Sequence, residues 1–153
     1  METQEPSGHI EVEFVRVSDA AQVPVYMTAG AAGADLRSVQ EEVIAPGHCE
    51  RIATGLHIAV PPGYAAFVLP RSGLASRCMV TVLNSPGLID SDYRGPLDVL
   101  LMNHHPFDPL CVRVGDRIAQ LVVVPIPTVR FVERTQLDDT VRGTGGFGST
   151  GAV

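Results

Sequence analysis

The sequence has no tryptophan, and aromatic residues fill only 5% of its 153 positions. Any core must therefore be mostly aliphatic. Cysteine is sparse: Cys49, Cys78 and Cys111 are three, an odd number without metal-ligand spacing. That pattern excludes a zinc site and a disulfide framework, and predicts reduced, buried thiols. Positive charge is also scarce, with eleven Lys and Arg against seventeen Asp and Glu, a net charge of −6. A nucleic-acid surface needs clustered cations and is excluded, although a few converging arginines still suit a small anion. No apolar run approaches membrane-spanning length. Met1-Glu2-Thr3-Gln4-Glu5 is acidic and polar, unlike a signal peptide, so the expectation is a cytoplasmic protein. No segment sustains the 3.6-residue period of a long helix, and there is no internal repeat.

What is present is a chain 45% apolar and 18% charged, enough for one domain with a real core. Ile10, Val12 and Phe14 alternate with acids, as in a half-buried strand. Pro24 to Thr28 reads as extended. Ile52, Leu56, Ile58 and Val60 share one face of a strand that Pro61-Pro62-Gly63 breaks. Tyr64 to Leu69 is a short strand ending at Pro70, and Arg71 to Ser76 offers the only helical turns. Met79 to Leu83 is a strand, and Leu97 to Met102 is apolar enough to be buried on both faces. Leu110–Val114, Ile118–Val124 and Thr128–Val132 complete the set, with Gly115-Asp116 as a tight turn. Short strands between Gly and Pro turns predict an all-β sandwich, barrel or jelly roll.

Gly87-Leu88-Ile89-Asp90-Ser91-Asp92-Tyr93-Arg94-Gly95 organises the chain. It reads either as an ordinary β-hairpin with polar turn residues or as a positioned carboxylate beside an aromatic gate. Arg71-Ser72-Gly73 offers a guanidinium, a hydroxyl and a backbone N–H, all donors for phosphate oxygens. Gln120 is an amide in an apolar strand, either a satisfied core glutamine or a ligand contact. His104 and His105 are adjacent and read as loop residues. Arg142 through Gly151 holds five glycines, one Phe and one Arg. It is either a loose terminus or a mobile anion-binding nest.

Five ordered stretches carry a resemblance. They are Ala32 to Leu36; Pro70 to Ala75; Asn84 through Gly95; Gly115 to Gln120; and Arg142 through Gly151. Together they resemble the five motifs of the trimeric dUTPase family. The resemblance implies a distorted β jelly roll with a core over residues 1–141 and a glycine-rich arm over 142–153. It implies a homotrimer whose three active sites are shared: the third motif from one subunit, the first, second and fourth from another, the arm from the third. It implies Mg²⁺-dependent hydrolysis of dUTP to dUMP and pyrophosphate, which keeps uracil out of DNA and supplies dUMP for dTMP synthesis.

Residue by residue, Asp90 resembles the catalytic carboxylate that activates the water attacking the α-phosphorus. Tyr93 resembles the ring that packs on deoxyribose and excludes a 2′-OH. Asn84, with main-chain groups near Leu88, Ile89 and Asp98, resembles the reader of the uracil edge. Cytosine would leave such fixed groups unpaired. Arg71, Ser72, Gly73 and Gln120 resemble the phosphate cradle. Asp35 resembles the acid that holds the cradle, reaching the metal through water; no direct protein ligand is expected. Arg142 and Ser149 resemble the γ-phosphate contacts, with Gly148 also against substrate, and Phe147 the ring that stacks on uracil and closes the lid. Ala34, Pro96 and Asp98 depart from the family's usual residues, and a side chain of Asp98 facing the pocket would need a partner. Two other readings are a dCTP deaminase-like enzyme, which Asp90, Tyr93 and the complete arm disfavour, and a non-catalytic nucleotide-binding regulatory module.

Overall fold

A computed structural model describes residues 9–146. Alternation of apolar and polar residues yields ten strands and one short helix: β1 (Glu13–Arg16), β2 (Ala34–Arg37), β3 (Glu42–Ile44), β4 (Cys49–Ala59), β5 (Tyr64–Leu69), α1 (Ser72–Cys78), β6 (Val80–Val82), β7 (Gly87–Ile89), β8 (Pro96–Asn103), β9 (Leu110–Val112) and β10 (Arg117–Pro125). They form two four-stranded sheets, ordered β1-β4-β8-β6 and β2-β10-β5-β7, and a two-stranded sheet, β3-β9. Every pairing is antiparallel. The result is the all-β, distorted jelly-roll class expected from the sequence.

Both large sheets feed one aliphatic core. Ile52, Leu56, Ile58, Val99 and Leu101 come from the first, and Leu36, Val68, Ala119 and Leu121 from the second. The long strand β4 keeps Ile52, Thr54, Leu56 and Ile58 inside. It does so through a bulge between Ala53 and His57, where four steps on β4 oppose two on β8. Gly55 takes the positive φ of 68° there, and a Cβ would lie 2.9 Å from Ser18 and 3.0 Å from Ala21. No other residue type fits that corner without strain.

Several expectations are corrected. The stretch around Asp90 is not a β-hairpin: β7 pairs with β5, whereas β8 pairs with β4 and β6. The loop from Asp90 to Gly95 therefore crosses between the two sheets. β8 buries only Leu97, Val99, Leu101 and Asn103; Asp98, Leu100 and Met102 are half-exposed. One face of an antiparallel sheet meets the core and the other remains open. Thr128–Val132 forms no strand. The last ladder bond is Ile126 N–H to the Gly63 carbonyl at 2.8 Å, and Pro125 and Pro127 remove the N–H donors on either side. The first strand starts at Glu13 rather than Ile10, and the ninth ends at Val112 rather than Val114. The thiols are not buried as expected: Cys49 and Cys78 are half-buried and Cys111 is exposed. Burial, and then the charge of Glu50, push the Cys49 thiol above its ordinary pKa.

Candidate active site

Two clusters gather the residues singled out from sequence. The first is a groove of about 300 Å³ along the open face of β8, facing β7 and the crossover loop. Asn84, Leu88, Ile89, Asp90, Tyr93 and Asp98 all line it. Within β7, Gly87 and Ile89 face inward and Leu88 outward. A Cβ on Gly87 would come to 3.3 Å from the Asn84 carboxamide and from Val68. The missing side chain lets the amide lie close against the strand. Asp90 is exposed at the groove's edge.

Tyr93 is held in a defined pose. Its hydroxyl donates to the Pro96 carbonyl at 3.1 Å, and its ring lies directly over Gly95, where any Cβ would collide with the phenol. The ring so held is part of the groove's wall. Asp98 does turn its side chain to this groove and does have a partner: Arg51 Nε lies 3.5 Å from its Oδ2. Arg51 lies outside every motif stretch of the sequence. An acid on the open face of a central strand was the signal that a cation should stand across from it.

The second cluster sits on the other sheet, where β2, β10 and β5 run side by side. Register places Gln120 opposite Asp35 on one side and Leu69 on the other. Asp35 is buried, and each of its oxygens accepts from a different guanidinium. Arg71 Nε lies 3.0 Å from Oδ1, and Arg117 Nη1 lies 3.1 Å from Oδ2. Arg71 also donates to the Arg117 carbonyl at 3.2 Å. Gln120 donates to the Pro70 carbonyl at 2.9 Å, while a Cβ on Gly33 would sit 2.6 Å from its Oε1. One carboxylate against two guanidinium groups leaves a net positive charge beside α1, whose first residues are Ser72 and Gly73. Such a cluster is suited to phosphate. Arg117 belongs to the fourth motif stretch but has no role assigned from sequence; a carboxylate with two oxygens to satisfy calls for a second cation.

Groove and cradle share no lining residue within one chain. Arg142 is exposed, and its Nε donates to the Gly145 carbonyl at 2.9 Å within a turn begun at Thr140. It thus reaches neither cluster. Phe147, Gly148 and Ser149 lie outside the described residues. His105 serves its own loop, its Nδ1 accepting the Asp108 N–H at 2.8 Å.

The model of the dUTPase family matches residues 19–151. The deoxyuridine 5'-triphosphate nucleotidohydrolase of Thermobifida fusca is 48% identical over 144 residues, covering 94% of this chain and 80% of that protein. The protein of the same name from Corynebacterium glutamicum is 47% identical over 140 residues, covering 92% and 94%. Among solved structures, the dUTPase of Staphylococcus bacteriophage 80alpha with dUpNHpp superposes with a TM-score of 0.84 at 26% identity, covering 93% of this chain and 99% of that one. A dUTPase variant from phage phi11 of S. aureus, described with a structural Mg(II) ion, gives 0.77 at 23% identity, covering 84% and 99%.

Proposed function

The chain belongs to the dUTPase family, and we propose that it splits dUTP into dUMP and pyrophosphate. One observation carries this reading: an exposed carboxylate, Asp90, shares a single groove with the fixed ring of Tyr93 and the amide of Asn84. These are the groups the reaction needs. Asn84 and the main chain of Leu88, Ile89 and Asp98 pair with the uracil edge, and cytosine would leave those groups unsatisfied. Tyr93 packs against deoxyribose and excludes a 2′-OH. Asp90 orients a water and takes its proton. The water oxygen bonds to the α-phosphorus while the bond to the α,β-bridging oxygen breaks. Pyrophosphate leaves with that electron pair.

Arg71, Ser72, Gly73 and Gln120 hold the phosphates, with Asp35 keeping Arg71 in place. The assembly in this reading is a homotrimer. One subunit's groove meets a second's cradle, and the third adds the arm over residues 142–153, with Arg142, Gly148 and Ser149 on the terminal phosphate and Phe147 stacked on uracil. Two facts support it: groove and cradle are separate within a chain, and Phe131, Leu137 and Val141 stand exposed beyond the last strand. Closure of the arm would exclude water and fix the triphosphate.

Mg²⁺ is the cofactor in this reading, and it fits the substrate rather than a protein cage. Among the described residues no group of three or more His, Cys, Asp or Glu could hold a metal, and both Asp35 oxygens already face guanidinium groups. Phosphate oxygens and water would hold the ion, with Asp35 touching its water shell. When bound, the ion offsets the charge of the triphosphate. No helix among the described residues is long and apolar enough to cross a membrane, and the reading assigns the enzyme to the cytoplasm. There it would remove dUTP before uracil enters DNA and supply dUMP for dTMP synthesis.

Incubation with dUTP and Mg²⁺ tests the reading. Release of pyrophosphate and dUMP in equal amounts is expected. A purified trimer that releases none would be a nucleotide-binding module, and deamination of dCTP without pyrophosphate would make it a deaminase.

A further inference from the structure

The crossover loop that carries Asp90 and Tyr93 is braced by two residues outside the groove. Arg94 Nη1 donates to the carbonyls of Ser91 and Tyr93, each at 2.7 Å. The Tyr93 N–H donates to the Asp90 carbonyl at 3.2 Å. One guanidinium therefore ties together the carbonyls on both sides of the turn that follows Asp90. Such charge-assisted bonds are stronger than neutral ones.

The loop is in turn anchored to the frame. His57 Nδ1 lies 2.8 Å from the Arg94 carbonyl. A carbonyl only accepts, so Nδ1 carries the proton. His57 stands where β4 resumes pairing with β8 after its bulge, opposite Pro96, and it also pairs with Val15 of β1. It is a fixed point in the first sheet. Arg94 lines surface grooves beside β1 but not the groove of Asp90.

We propose that Arg94 and His57 form a strap that positions the Asp90 carboxylate and the Tyr93 ring for hydrolysis. The inference rests on the dUTPase reading above. Both are positioning residues, since neither touches the groove where substrate would lie. Asp90, Asp92, Tyr93 and Arg94 are all exposed, so core packing does not fix the loop. Without the strap the carboxylate would sample poses out of line with the α-phosphorus, while the uracil-reading strands stay intact.

Arg94→Met and His57→Ala remove the two ties. Arg94→Lys keeps a cation with several donors, and His57→Asn places an amide N–H near the position of Nδ1. For Arg94→Met, kcat should fall about 10- to 100-fold, the order expected for a misplacement near 1 Å. KM for dUTP and affinity for dUpNHpp should stay within about threefold, as for loss of an interaction that counts in the transition state alone. Arg94→Lys should recover part of kcat. His57→Ala should act in the same direction more weakly, with His57→Asn recovering it. A wild-type kcat in Arg94→Met, a rise in KM alone, or no recovery by the Lys and Asn variants would overturn the strap. Should Arg94→Met melt early, the His57 pair decides. A wild-type protein without turnover would sink the dUTPase reading instead, whatever the variants do.

Discussion

Asp35 and Arg117, 82 positions apart in the chain, meet at 3.1 Å. The other oxygen of the same carboxylate takes Arg71 at 3.0 Å. A buried acid thus fixes two cations at a spacing that neither could hold alone, and the cluster keeps a surplus positive charge for an anionic substrate.

Replacing Asp35 with Asn should unbalance this cluster. The amide keeps one acceptor and turns a donor toward a guanidinium. Removing one partner of a fully buried ion pair costs about 3–5 kcal/mol; here both arginines are partly exposed and Asn keeps one acceptor, so the loss should be well below that range. Denaturant unfolding would measure the loss, and KM for dUTP should rise because Arg71 is freed. A variant with unchanged stability and KM would refute the arrangement.

Asp90→Asn should cut kcat by about 100- to 10,000-fold, the usual worth of a positioned general base. Affinity for dUpNHpp should be nearly unaffected, because in the proposed mechanism the exposed carboxylate holds water rather than the base or the phosphates. Near-normal turnover would remove Asp90 from its role.

Gly33→Ala would put a methyl group 2.6 Å from Gln120 Oε1. The amide must then leave its bond to Pro70, and overpacking of this kind costs about 1–3 kcal/mol. Phosphate binding should weaken with it, seen as a raised KM. Gly30→Ala, with no heavy atom within 4 Å of the new carbon, is the neutral control.

Arg51→Met should leave the Asp98 carboxylate without its partner in the groove proposed to take the nucleotide. Coulomb repulsion between that charge and an anionic substrate should raise KM, most clearly at low salt. Asp98→Asn in the same background should restore it. An unchanged KM in Arg51→Met would mean that the pair is incidental.

Alkylation with iodoacetamide at neutral pH should label Cys111 first and Cys49 late. Cys111 is exposed, whereas burial and Glu50 raise the pKa of Cys49, so less of it is thiolate. A thiol whose folded pKa is raised favours the folded state while both states are protonated. That contribution is lost as pH rises through the ordinary thiol range toward the raised value. Prompt labelling of Cys49 would contradict this environment.

Much of the candidate site is legible in the residues themselves. Alternation marks β4, β5 and β10, and the Gly and Pro turns between them point to an all-β fold. Asp90 and Tyr93 stand out through the resemblance of five ordered stretches to the dUTPase motifs; taken alone, their stretch reads equally as a turn with polar residues. The misreadings have physical causes. Thr128–Val132 has strand-forming residues, but two prolines deny it a ladder. Leu97 to Met102 is apolar apart from Asp98, yet a sheet with one face open to solvent leaves half of it exposed.

Local chemistry along the chain, then, establishes most of the strands and the aliphatic core, because each depends on residue type and short spacing. It does not establish who stands beside whom. That Asp90 rides on a crossover between sheets, that Asp35 answers two arginines, and that Arg51 meets Asp98 all follow from strand order and register. Those are set by how two sheets share one core, and segments far apart in sequence carry no local trace of it.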